Sequence, residues 1–191
     1  MAHPSKTKGD AAEREAFAVL ETLAAGLLVA DAGRLFGAGR RDDRGDLHVF
    51  SDVAVQVKSS AQVATAIREA ADGAAAQAGR SCKPSGLGLV PIPHARRKPV
   101  ADAVRWLACT LRWPDEPDED HPVFGQSSAA VGWARGKSAG SNAVPVGLRV
   151  ACVRRMGVLP VWVGPVQAWL ASYRFHHGQV PVAAGRSSGV G

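Results

Sequence analysis

The chain has 191 residues, 46% of them hydrophobic, with a formal net charge of +6 and a sequence pI of about 9.7. That length suits one main domain with a core of ordinary size, and the basic balance suits a polyanionic partner, because a cation that neutralises phosphate releases condensed counterions. The opening residues, with Lys6, Lys8, Asp10, Glu13, Arg14 and Glu15, exclude a secretory leader, and the apolar stretch from Leu23 to Ala30 is too short to cross a bilayer; a soluble, cytoplasmic protein with no membrane partner is expected.

In chain order, Ala12, Ala16, Val19, Leu20 and Leu23 recur at helical spacing and predict an amphipathic helix over 10–25 that stops at Gly26. A short strand over 27–32 follows, then a Gly/Arg-rich loop over 33–45. Residues 46–50 and 53–58 alternate as a hairpin around Ser51-Asp52. In its second arm Val53, Val55 and Val57 point one way, while Gln56 and Lys58 share the other face. An alanine-rich helix over 61–78 and a buried strand over 87–92 come next. The run 104–111 reads as strand or short helix. Residues 113–142, acidic and Pro-rich and then Gly/Ser-rich, read as a linker or long loop. The segments 146–153 and 158–163 flank Met156-Gly157 as a second hairpin, 166–173 forms a short helix after Pro165, and the tail from Gly178 frays.

Charge is unevenly spread. Asp115, Glu116, Asp118, Glu119 and Asp120 are crowded together, and beyond Asp120 the chain carries seven Lys or Arg and no carboxylate. Cys82, Cys109 and Cys152 are widely spaced with no Cys-x-x-Cys, which argues against a disulfide framework or structural zinc and for buried small hydrophobes.

The residues that carry chemistry are Asp46 and, ten positions on, Gln56 and Lys58. Hydrolysing a phosphodiester calls for a divalent ion held by a few oxygens, and magnesium accepts one or two protein ligands with water and substrate in the remaining positions. Glu13 from the first helix, Asp46 from the hairpin and Gln56 from the strand face supply oxygens; Lys58 places a compact charge at the phosphate. Each has a plainer reading. Glu13, three after Asp10, suits a capping box; Asp46 suits a turn; Lys58 suits a solvated strand end. Arg34, Arg40, Arg41 and Arg44 in the glycine-rich loop, and Arg96, Arg97 and Lys98 in a basic turn, are candidate phosphate contacts. Adjacent His176 and His177 would face opposite ways on a strand, and Trp162 and Trp169 suit the core.

Lys8-Gly9-Asp10-Ala11-Ala12-Glu13, Asp43-Arg44-Gly45-Asp46-Leu47 and Val55-Gln56-Val57-Lys58-Ser59 together resemble the motifs of the PD-(D/E)XK nuclease superfamily, and within it the Holliday junction resolvase-like endonucleases of archaea and phages. The resemblance spans residues 5–111. It implies an α/β, restriction-endonuclease-like core of order α-β-β-β-α-β, with a mixed central sheet flanked by helices, over residues 1–112. After that core would come a linker or loop (113–142), a basic hairpin-plus-helix extension (143–177) and a disordered tail (178–191). It also implies a homodimeric, magnesium-dependent endonuclease, with manganese able to substitute, that nicks branched DNA, four-way junctions above all. By motif position Glu13, Asp46, Gln56 and Lys58 are the active-site residues, the first three holding the metal, and Lys8 and Ser59 join the arginines in touching DNA. Gln56 departs from the family's glutamate, and an amide oxygen brings no charge and cannot act as a base. Three alternatives follow: a nuclease-fold protein that binds DNA without turnover, a restriction-type enzyme, and an exonuclease.

Overall fold

A computed structural model describes residues 4–35, 46–93, 99, 102, 104–115, 121–138 and 144–177. The first helix, α1 (Pro4–Leu23), buries the expected stripe of Ala12, Ala16, Val19 and Leu20, and Gly26 follows it at φ +83°. It begins six residues before the expected start. Asp10 therefore lies inside the helix, where it cannot cap the N-terminus, and the capping-box reading of Glu13 falls. Strand β1 is Gly33–Arg34, so the strand expected over 27–32 is a correction. Its residues form turns in which the Val29 N–H donates to the Val49 carbonyl at 3.0 Å.

Strands β2 (Leu47–His48) and β3 (Val53–Val57) pair antiparallel with Leu47 opposite Val55, the hairpin the alternation predicts. Helix α2 (Val63–Arg80) crosses over to β4 (Ser85–Pro91), which lies parallel to β3, and β5 (Trp106–Thr110) settles the ambiguous 104–111 run as strand. The observed opening order is thus α-β-β-β-α-β, as expected.

The segment 113–142 is corrected. It supplies strand β6 (Val123–Phe124) and helix α3 (Ser127–Ala134), whose Ala130, Val131 and Ala134 are buried. A Gly/Ser-rich composition concealed a helix whose small residues let it lie close on the sheet. Strands β7 (Ala151–Val153) and β8 (Val161–Pro165) form the second hairpin, and α4 (Val166–His176) follows Pro165. The basic region is no appendage: all eight strands make one mixed sheet, in the order β1-β2-β3-β4-β5-β8-β7-β6.

Helices cover both faces of that sheet. α1 and α4 pack on Val53, Val55, Leu87, Leu89, Trp106 and Ala108, while α2 and α3 pack on Val90, Leu107, Cys109, Val161 and Val163. The alanines of α2 allow a very close approach. A side chain at Gly88 would come within 2.6 Å of the Ala70 backbone, so glycine is required there by space rather than by backbone conformation. Cys109 and Cys152 are buried as expected; Cys82 is exposed, which corrects that part of the reading. Trp169 is a core residue, whereas Trp162 is only half-buried.

Candidate active site

The β2–β3 hairpin positions Asp46. Its N–H donates to the Val55 carbonyl at 2.9 Å, and its Oδ2 accepts the Val57 N–H at 2.7 Å. The carboxylate is therefore fixed beside β3 at the residue between Gln56 and Lys58. Asp46 takes the place of a ladder carbonyl and carries a charge that no carbonyl has.

Alternation along β3 does the rest. Val53 and Val55 are buried in the α1 core, which turns Gln56 and Lys58 toward α2. The Gln56 carboxamide lies against Gly73 of α2, where any side chain would collide with it. Its Oε1 is buried and has no hydrogen-bond partner among the described residues. Lys58, half-buried, donates its N–H to the Leu89 carbonyl at 2.9 Å, and its ammonium has no carboxylate partner among the described residues. Ser59 is exposed in the turn between β3 and α2.

Glu13 is elsewhere. It belongs to the α1 layer, on the opposite side of the sheet from α2, and its Oε2 accepts a 2.8 Å hydrogen bond from Arg34 Nη2, with Asp10 3.6 Å from the same nitrogen. Arg34 is mostly buried in this pairing, so it braces α1 against β1 and is not presented to phosphate as its loop position suggested. Asp46 is brought beside the β3 backbone at the residue between Gln56 and Lys58; Glu13 is held by Arg34 instead. Among the described residues no three His, Cys, Asp or Glu side chains gather as a metal cluster. The phosphate contacts expected of Arg40, Arg41, Arg44, Arg96, Arg97 and Lys98, the Lys8 side chain and the tail from Gly178 lie outside the described residues.

Whether these residues suit a hard divalent ion turns on the donors at β3. Asp46 contributes a carboxylate, and Gln56 an oxygen without a hydrogen-bond partner among the described residues, packed against Gly73. Both are oxygen donors of the type magnesium accepts. Glu13, committed to Arg34, does not join them.

One cluster escaped the sequence reading. Asp52, at the start of β3, accepts the Tyr173 hydroxyl at 2.6 Å, and its other oxygen lies 3.2 Å from His177 Nε2. Tyr173 stacks on Trp169 with centroids 4.9 Å apart. His176 and His177 end a helix, not a strand, which corrects the reading that set them facing apart. The cluster lines a cavity of about 670 Å³ with Trp113, Trp162 and Arg112. Only the acid at a hairpin turn and the aromatic spacing of 166–173 hinted at it, and neither specifies a partner more than a hundred residues away.

No family model matches the chain, and comparison with curated proteins and with solved structures returned no match. No helix among the described residues is long and apolar enough to cross a membrane.

Proposed function

We propose that the protein is a magnesium-dependent endodeoxyribonuclease with a restriction-endonuclease-like core, acting as a homodimer on branched DNA of the four-way-junction kind. The observation that carries this reading is the Asp46–Val57 hydrogen bond, which holds a carboxylate beside the residue linking Gln56 and Lys58. The order α-β-β-β-α-β, the resemblance of three motifs and the basic charge support it further.

In this reading Asp46 and Gln56 hold the ion. When bound, magnesium would polarise the phosphate and acidify the attacking water. Asp46 is oriented by the β3 backbone, so little rearrangement is needed before it binds. Lys58 receives the phosphate and offsets the charge that builds on its oxygens, and the partly enclosed setting makes that charge count for more than it would in bulk water. Gln56 orients without taking a proton, so no general base comes from β3 and the water must lose its proton to solvent or substrate. Lower metal affinity than an acid at position 56 would give is the direct consequence.

A second reading, a DNA-binding protein without turnover, draws on two observations: the Gln56 oxygen is packed against Gly73, and Glu13 is held by Arg34. Incubating labelled four-way junction, linear duplex and single strand across a magnesium series separates the two. The proposal expects nicks in the junction that require magnesium; a junction shifted but uncut at every concentration gives the second reading.

A further inference from the structure

The turn between β7 and β8 carries Met156, the most exposed large apolar residue among the described residues, together with two further exposed apolar side chains. Met156 is 99% exposed, Val158 60% and Leu159 52%. Leaving three apolar side chains in water at one point is unfavourable unless something covers them. The turn is nonetheless firmly built. Gly157 takes φ +71°, and Arg155 donates to the Leu159 carbonyl at 2.7 Å across the loop. The same guanidinium makes two hydrogen bonds to Asp72 of α2, at 2.8 and 3.0 Å, which fasten the hairpin to the body.

Beside this tip lies an open hollow of about 480 Å³ whose lining includes Arg68, Arg154, Ser127, Ser128 and Met156 itself. Arg68 and Arg154 are exposed, and neither has a carboxylate partner among the described residues. An apolar point therefore projects from a rim that presents two arginines and two hydroxyls, and the chain beyond Asp120 has no acid with which to neutralise them.

We infer that this tip is a wedge that enters the base stack of DNA, with Arg68 and Arg154 gripping the phosphates alongside. Duplexes are opened in this way by rigid apolar side chains flanked by cations, at a cost of a few kcal/mol per unstacked step, least where the helix is already interrupted. Charge complementarity selects the partner: the rim is cationic and the chain is basic. Three side chains are also far short of the roughly 800 Å² per partner that a stable protein interface buries. The inference rests on the DNA reading above, to which it adds a contact surface on β7–β8 away from β3.

The test uses the full chain and four-way junctions with 2-aminopurine at the branch, whose fluorescence rises on unstacking, with anisotropy reporting binding. The wild-type protein is expected to raise fluorescence several-fold. Met156→Ala, at a residue that supports nothing in the fold, should keep binding within about threefold and lose the rise. Arg68→Ala and Arg154→Ala should each weaken binding and lower the slope of log Kd against log salt by about one. An equal rise with Met156→Ala overturns the wedge and leaves the DNA reading standing, as does tight binding with no rise at all. Absence of any DNA binding overturns both. Self-association of the protein alone, or binding to anionic phospholipid vesicles, that Met156→Asp abolishes while DNA binding and the fluorescence rise persist gives the tip to that partner and overturns the wedge.

Discussion

Asp46 and Val57 are joined by a 2.7 Å hydrogen bond in which a side-chain carboxylate does the work of a strand carbonyl. The bond closes the end of the β2–β3 ladder, and in the proposed function the same carboxylate supplies charge to the site. Asp46→Asn keeps an oxygen to accept the Val57 N–H and removes the charge. It should leave stability within about 1 kcal/mol of wild type and abolish magnesium-dependent nicking. Asp46→Ala should lose nicking as well and cost about 1 kcal/mol, the penalty for leaving a partly buried donor without its partner. Urea denaturation run beside the cleavage assay measures both.

Gln56 and Gly73 are coupled by space. Gly73→Ala should gain up to about 1 kcal/mol from helix propensity if nothing opposed it, yet the new methyl meets the Gln56 amide. In a Gln56→Ala background the gain should appear, and with Gln56 present it should vanish or reverse. A double-mutant cycle that shows no coupling would mean that the amide does not lie on α2.

Gly88 faces backbone, which cannot step aside as a glutamine can. Gly88→Ala should cost about 1–3 kcal/mol, the range for overfilling a packed core, with an unchanged denaturant m-value. Gly125→Ala, with open space around the glycine, is the control and should change little.

Tyr173 is the chain's only tyrosine, so the pH-dependent rise in absorbance at 295 nm over the constant tryptophan background follows it alone. Burial first, then the hydrogen bond to Asp52 and the charge of that carboxylate, push its hydroxyl well above the usual value of 10. The native protein should show no tyrosinate signal through pH 10, whereas the unfolded chain ionises there. The folded-state pKa is the raised one, so the contribution is fully present below pH 10 and is lost as pH climbs from 10 toward the folded value. Tyr173→Phe should flatten that alkaline loss, as read from melting temperature between pH 8 and 11.

Much of this was legible from the sequence because it rests on periodicity. The stripe of α1, the β2–β3 hairpin and the shared face of Gln56 and Lys58 follow from local spacing, as does the hairpin around Met156-Gly157. What escaped depends on distant partners. Glu13 stands at a helix edge in either reading, and only the position of Arg34 on β1 shows that the carboxylate is taken. The Ser127–Ala134 helix was hidden because its serines and glycine mark loops elsewhere, while the residues that pack it on the sheet are only Ala130, Val131 and Ala134. Asp52, Tyr173 and His177 converge only once α4 has folded back over the start of β3.

The central claim, a phosphate-cutting site on Asp46, Gln56 and Lys58, is tested most directly by following a labelled four-way junction on a denaturing gel with wild-type protein and Lys58→Ala at matched DNA occupancy. The account predicts magnesium-dependent nicks from the wild type and a loss of at least a hundredfold in Lys58→Ala, with binding retained. Nicking that survives Lys58→Ala, or a wild type that binds the junction and never cuts it, would contradict the site.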